Sequence, residues 1–265
     1  MDDKIKLQLL ILKIAKEVKR ICDKNQIEYF MDGGTQLGAI RHQGFIPWDD
    51  DMDFAMKRDQ FEKFVVACEK DLKGQFCLQT EWNEENYCFS CAKIQLVGTE
   101  VLEECSKYVN IKHGIWVDIF PYDNIPDAKI KRKIYLCLNN IVKNLISVKC
   151  GYGTAVEKKR YSYKVYKVIG KIFRIRTLKH CRQRLLSRYN SINTKCCITS
   201  DFPNNLLLNN LFGEKDIYFF EKEQFYGFKN YDCFLKILYG DTYMQLPPEE
   251  DRVQHSQQKI NFGKY

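Results

Sequence analysis

The sequence predicts an α+β fold that carries a long basic helical segment, on three observations. Its first two dozen residues repeat apolar side chains at helical spacing. Short alternating or mostly apolar runs, bounded by turn residues, recur between Ile27 and Phe120. From Ile130 to about Asn193 the pattern is helical again and strongly basic.

In residues 4–24, Leu7, Leu10, Ile11, Ile14, Val18 and Ile21 form one stripe, with Lys6, Lys13, Lys16, Glu17 and Arg20 outside it. That is an amphipathic helix. Ile27 to Met31 reads as a strand ended by the tight turn Asp32-Gly33-Gly34. Thr35 then caps a short helix through Ile40, and residues 44–48 form a loop. Asp51, Asp53 and Ala55 alternate with Met52 and Phe54, giving a strand with one largely acidic face and one apolar face. Asp59 caps a helix running to about Asp71. Residues 76–96 hold two strands around the polar turn Asn83-Glu84-Glu85-Asn86, and Ile115 to Phe120 is a strand stopped by Pro121. The basic helical run has a break at Gly151-Tyr152-Gly153. The tail mixes short apolar pieces with turns, among them Tyr239-Gly240-Asp241 and Pro247-Pro248-Glu249-Glu250. A boundary near 125–130 divides the chain into a core (1–127), a basic helical segment (128–200) and a tail packing back on the core (201–265).

At 265 residues and 45% apolar composition the chain can bury a sizeable core. No apolar stretch is long enough to cross a bilayer. The opening Met1-Asp2-Asp3-Lys4 is charged and periodic rather than an export signal. The expectation is a cytoplasmic protein, soluble or peripheral at the inner face of the membrane. In that setting the twelve cysteines read as reduced thiols, and Cys22, Cys68, Cys137 and Cys233 lie inside apolar patterns. Cys88-Phe89-Ser90-Cys91 has the inner spacing of a zinc knuckle. Its only close companion pair is Cys196-Cys197, which is wrongly spaced, so structural thiols are the better reading.

The net charge of +8 is unevenly spread. Between Lys129 and Lys195 nineteen Lys and Arg face a single acid, Glu157, which leaves the rest of the chain net negative. Interleaved aromatics (Tyr161, Tyr163, Tyr166, Phe173) suit nucleic acid, but no nucleic-acid motif accompanies them and none is expected as partner. An anionic membrane surface along 129–195 is the functional reading, and a solvated helix face is the plain one.

The densest chemical signal is Asp32-Gly33-Gly34-Thr35 followed by Asp49-Asp50-Asp51-Met52-Asp53. Two positions apart on an extended segment, the carboxylates of Asp51 and Asp53 project to one side, and two adjacent anions demand a cation. Oxygen ligands favour Mg²⁺ or Mn²⁺, completed by substrate phosphates. Asp49 shares their parity, with its direction left open by the Pro47-Trp48 loop. Gly33 and Gly34 ahead of a helix let backbone N–H groups approach a phosphate, and Thr35 adds a hydroxyl. The spacing lacks the Gly and the distal Glu of an EF-hand. A solvated acidic turn is disfavoured because Met52 and Phe54 anchor the strand. Arg41 and His42 either contact a donor phosphate or pair with Asp49 or Asp50 to stiffen the loop. Trp48 either stacks a base or methylammonium group or anchors the loop. Lys93 either touches phosphate or is a solvated surface lysine.

Residues 33–53 closely resemble the LicD family, related to fukutin, within the nucleotidyltransferase-fold superfamily. The likeness rests on Gly34-Thr35, Leu37-Gly38-Ala39, Arg41-His42 and the run from Gly44 through Pro47-Trp48 to Asp53. Weaker similarities follow at Lys93-Ile94, at Val117-Asp118-Ile119-Phe120-Pro121, and at Tyr239-Gly240-Asp241 with Pro247-Pro248-Glu249. Arg252 and His255 resemble a family tail signature, with no role the residues themselves define. The resemblance implies a nucleotidyltransferase-like mixed β-sheet flanked by helices. It implies Gly33, Gly34 and Thr35 near donor phosphate, and a metal held by Asp51, Asp53 and a third carboxylate. Asp118 is the candidate for that third position, since Trp116 and Asp118 share a face opposite Val117 and Ile119; its alternative is a carboxylate capping the Pro121 turn. The implied reaction moves a phospho- or phosphono-linked head group from a cytidine nucleotide, with CDP-choline leading, to a saccharide or lipid-linked glycan. Nucleotidyl transfer, an Asp-x-Asp glycosyltransferase, and a binding module with a decayed site are the alternatives.

Overall fold

The computed structural model describes residues 2–252 and 257–265. A 23-residue helix α1 (Asp3–Asn25) is started by Asp2, whose carboxylate accepts from the Lys4 N–H. Its inner stripe is the expected one, with Leu7, Ile11, Ile14, Val18 and Ile21 buried. Glu17 departs from expectation. It is buried within that helix, where Arg20 donates to it through Nε and Nη2 at 2.8 and 2.7 Å and the Lys73 N–H at 3.1 Å. Hydrogen bonds to Arg20 and Lys73 overcome the burial that works to raise its pKa, and hold it below the usual carboxylate range.

The strand expected over Ile27 to Met31 contracts to β1 (Phe30–Met31), followed by α2 (Gly33–His42), β2 (Asp53–Lys57) and α3 (Arg58–Asp71). Helix α3 starts one residue ahead of Asp59, which sits in its first turn instead of capping it. The meander β3 (Phe76–Gln79) and β4 (Ala92–Leu96) is as expected; β5 (Glu100–Glu103) was not foreseen. Strand β6 (Trp116–Asn124) runs through Pro121 instead of stopping at it. The Asp118 N–H donates to the Met52 carbonyl, so alternate amides (118, 120, 122) face β2 and position 121 faces away. On that outward side β4 pairing ends at Ile119 and pairing with β7 (Cys196–Ile198) begins at Asp123, so the proline removes no ladder bond.

These strands form one mixed sheet in the order β1-β2-β6-β4-β3, extended beside β6 by β7 and then β8 (Leu207–Leu208). Only β2 and β6 run parallel, with Asp53 opposite Asp118. One face packs on α1 and α3 through Met52, Phe54, Val117 and Ile119. The other carries Phe30, Ala55, Phe120 and Tyr122 against α2 and α8 (Tyr231–Tyr239). The hairpin β9 (Lys215–Phe220) and β10 (Glu223–Phe228) delivers Phe225 to the first core and Phe228 to the second. The final strand β11 (Gln257–Asn261) pairs with β5.

The basic segment is helical as expected, with α4 (Lys129–Lys149), α5 (Ala155–Lys159), α6 (Tyr161–Gly170) and α7 (Ile175–Ser187). Its charge is not all on the surface. Arg182 is fully buried, donating to the Cys88 carbonyl and to Glu81, each at 2.7 Å. Lys179 is buried too and donates to the carbonyls of Glu81 and Glu85 at 2.7 and 2.8 Å. Part of the basic run is therefore an internal clamp on residues 81–88. Among the described residues no helix is long and apolar enough to cross a membrane.

Candidate active site

The site forms where α2 begins beside the end of the extended segment that enters β2. Asp32 caps α2: its Oδ1 accepts from the Gly33 N–H at 2.9 Å and its Oδ2 from the Tyr122 hydroxyl at 2.9 Å. The helix thus starts two residues before Thr35, and the glycines form its first turn instead of preceding it. Gly33 adopts φ +46°, which a side chain would strain. Thr35 is buried, and its hydroxyl accepts from the Asp53 N–H at 2.8 Å, which ties α2 to the first residue of β2. The Asp32 N–H in turn donates to the Asp53 carbonyl at 2.9 Å.

Asp51 lies in the extended stretch just before β2, and only Asp53 is within the strand. Both line a cleft of about 730 Å³ together with Asp32, Gly33, Gly34 and Asp49. Asp49 therefore joins the other acids. Gly34 is what admits it, because a Cβ there would sit 2.9 Å from the Asp49 carboxylate oxygen Oδ2. Aromatic side chains line the same cleft: Phe120 and Tyr122 from the strand next to β2, and Phe202, Tyr239 and Tyr243 from the C-terminal part of the chain.

Electrostatics make this cluster costly as it stands. Burial pushes the Asp53 carboxyl well above its ordinary range, and the charges of Asp51, Asp118, Asp32 and Asp49 push further in the same direction. Burial also raises Asp32 to about 6, against the pull of its bonds from Tyr122 and Gly33. The Tyr239 phenol is raised by burial and then by Asp32, Asp53, Asp49 and Asp51, which places its hydroxyl in the same field. A set of oxygen donors that repel one another around a half-hidden carboxylate fits a divalent cation. Among the described residues no three carboxylate, thiol or imidazole groups converge as a ready-made cage.

Asp118 sits opposite Asp53 in the parallel pair, on the face that carries Phe120 and Tyr122, but it does not line the cleft. Its carboxylate accepts from the Trp116 indole Nε1 at 2.6 Å and from the Cys91 thiol at 3.6 Å. The Lys93 ammonium lies 3.8 Å from it. Lys93 is thus not a solvated lysine, and it is not among the residues that line the cleft. It is buried between Asp118 and Glu103, 3.7 Å from the centre of the Trp116 ring. Burial works to lower its pKa, and those two carboxylates outweigh it, so the ammonium stays charged.

Arg41 lines the cleft and donates through Nη1 to the carbonyls of Tyr243 and Gln245 at 2.9 and 3.1 Å, fastening the tail over the end of α2. Its Nε donates to His42 Nε2 at 3.0 Å. Burial and the Arg41 charge lower the His42 pKa, which keeps that nitrogen an acceptor. Trp48 lines the cleft, with the Arg252 guanidinium 4.8 Å from its ring centre. His255 lies outside the described residues. Asp32, Tyr122 and Tyr239 were not singled out as site residues from the sequence. The available signals were an Asx residue directly before a Gly-Gly helix start and the Tyr-Gly-Asp turn in the tail.

A glycine-opened helix beside an acidic segment on a mixed sheet is consistent with the class of domain that the family comparison names. Residues 26–136 match the family profile described as LicD/FKTN/FKRP, nucleotidyltransferase domain. The lipopolysaccharide cholinephosphotransferase LicD of Haemophilus influenzae is 30% identical over 263 residues, covering 94% of each chain. An uncharacterised protein of Rickettsia prowazekii is 41% identical over 85 residues, 28% of this chain and 32% of that one. The chain belongs to the LicD family of transferases.

Proposed function

We propose that the chain moves a phospho- or phosphono-linked head group from a cytidine nucleotide to a hydroxyl of a cell-surface glycan precursor. Phosphocholine from CDP-choline is the leading case; phosphoethanolamine and 2-aminoethylphosphonate are the other head groups of the same chemistry. The observation that carries this reading is the cleft, which gathers a helix start, three aspartates (49, 51 and 53) and several aromatic side chains in one place. Its volume suits a nucleotide-sized donor. Aromatic faces and nearby carboxylates are a favourable setting for a quaternary ammonium group. The near end-to-end match to a relative named for cholinephosphate transfer supports the same choice.

Within the cleft each residue has a physical task. Asp32 takes the Gly33 N–H, and the next amide of the helix start, that of Gly34, is the one a donor phosphate oxygen would approach. Thr35 holds the Asp53 backbone, and hence the acid pair, in register with that amide. A bound Mg²⁺ or Mn²⁺ would supply neutralising charge to the donor phosphates and acidify the acceptor hydroxyl. Positioning and electrostatics then account for most of the rate, as in other phosphoryl transfers.

The test is product analysis with CDP-choline, Mg²⁺ and an oligosaccharide acceptor. Release of CMP with a phosphocholine-bearing glycan, read by mass spectrometry, is the expected result. Pyrophosphate released from a nucleoside triphosphate would instead assign nucleotidyl transfer. Thermal stabilisation by UDP-sugars but not by cytidine nucleotides would assign glycosyl transfer.

A further inference from the structure

Helix α4 carries two apolar stripes where packing needs one. The inner stripe, Tyr135, Val142, Leu145 and Ile146, turns toward the protein body, with the polar Asn139 buried among them. The outer stripe is Ile130, Ile134, Leu138 and Ile141, at spacings of four, four and three, and so on one side of the helix. These side chains are 76%, 55%, 45% and 39% exposed. Four aliphatic residues in line over three turns exceed the scattered singles normal on a surface. On the helix circumference Lys131 and Lys133 flank the stripe on either side, and both are exposed.

The adjoining α6 and its exit repeat the pattern. Val168 and Ile172 are 65% and 77% exposed, among the exposed Lys164, Lys167, Lys171 and Arg174. The two helices meet at their C-terminal ends, where Lys149 Nζ donates to the Gly170 carbonyl at 2.9 Å. Glu157 remains the single acid from Lys129 to Lys195.

The geometry points to the exposed stripe of α4, with its flanking lysines, as a docking surface for an anionic lipid membrane, entering the boundary between headgroups and acyl chains. An apolar line bordered by cations matches the layered chemistry of that boundary, where phosphates lie above hydrocarbon. Nucleic acid offers the cations phosphates but gives isoleucines nothing to contact. A second copy of the chain would set two basic faces together without acids to offset them. Docking here is independent of which head group the cleft transfers.

The experiment is vesicle flotation of the full chain, with phosphatidylglycerol/phosphatidylethanolamine vesicles compared with phosphatidylcholine vesicles. Wild type is expected to float with the anionic vesicles, and to keep part of that binding at about 0.5 M salt, where exposed charges are screened. Ile134→Asp with Leu138→Asp is expected to lower the partition coefficient by on the order of a hundredfold. Lys131→Gln with Lys133→Gln is expected to remove only a salt-sensitive part of the binding. All four positions are exposed, so melting temperature and turnover of CDP-choline with a soluble acceptor should match wild type. Wild type that fails to float, or an Asp variant that floats undiminished, would overturn the proposal. So would sedimentation showing a dimer that the Asp variant dissociates, because the face would then belong to a second copy.

Discussion

Asp53 concentrates the tension of the site. It is partly buried and surrounded by the charges of Asp51, Asp118, Asp32 and Asp49, all raising its pKa. A carboxyl whose folded pKa lies above its unfolded value stabilises fully below the unfolded pKa. That contribution is lost as pH rises through the folded value. Asp32, held at about 6, contributes with the same sign. With cation chelated, Asp53→Asn should therefore melt close to wild type near pH 4 and increasingly above it as pH rises toward 7. Added Mg²⁺ should narrow the gap by stabilising wild type alone. Melting curves at stepped pH, with and without chelator, check this; a constant difference across pH would remove the carboxylate crowding from the account. The same variant should lose at least about a hundredfold in kcat, the scale of removing a principal electrostatic contact in the transition state. Gly34 offers a milder probe. A Cβ there meets the tip of a side chain, the Asp49 carboxylate, whereas a Cβ at Gly38 meets the Gly44 carbonyl at 2.5 Å, which is backbone. Gly34→Ala is expected to cut activity with little change in melting temperature, and Gly38→Ala to destabilise by about 1–3 kcal/mol as overpacking does. Parallel activity and denaturation measurements separate the two outcomes.

Helices and strands were legible in the sequence to the extent that their periodicity lay within the segment itself. The α1 stripe, the 76–96 meander and the basic helices read directly because each is a local repeat. Pro121 misled because its effect depends on which neighbour its missing N–H would have faced, and that is decided by where β4 and β7 end. Glu17 and Lys93 misled for a related reason: each is buried by elements distant in sequence, Glu17 under the Lys73 N–H as well as its helical neighbour Arg20, and Lys93 between Glu103 and Asp118. The acids of the cleft were visible as a cluster, while the aromatic lining from Phe202, Tyr239 and Tyr243 assembles only when the tail folds back. Among the elements α7 is the least ordinary, because it inserts a guanidinium into the interior. Arg182 pairs with Glu81, itself largely buried, at 2.7 Å. Arg182→Ala would leave that carboxylate without its partner, an expected loss of about 3–5 kcal/mol. Arg182→Met with Glu81→Gln should recover a good part of it. Urea denaturation of the single and double variants measures the difference, and a mild single variant would mean that the clamp on residues 81–88 is held by Lys179 alone.

At the scale of the molecule, the two chain ends close on each other over the back of the sheet. Strand β11 pairs with β5, and Ile260, Phe262 and Tyr265 pack on the core that α1 covers. Lys6 and Lys13 of α1 lie over the rings of Phe262 and Tyr265, each 4.6 Å from a ring centre. The cleft lies on the opposite side of the sheet, built on α2, β2 and α8, and α1 stands between it and the closure, with Gln8 donating to the Asp49 carbonyl at 2.8 Å. Deleting residues 257–265 should therefore separate stability from nucleotide binding. The partly buried apolar side chains and the lost β5 pairing amount to roughly 2–3 kcal/mol. In a domain of this size that is a fall of roughly 5–10 °C in melting temperature. Arg252 stays in the shortened chain, and its contact with Trp48 at the cleft is retained. Affinity for CDP-choline with Mg²⁺, measured calorimetrically well below the new melting point, should stay within about twofold of the intact protein. Loss of nucleotide binding together with stability would show that the far face of the sheet sets the geometry of Asp51 and Asp53, and that the two sides are one cooperative unit.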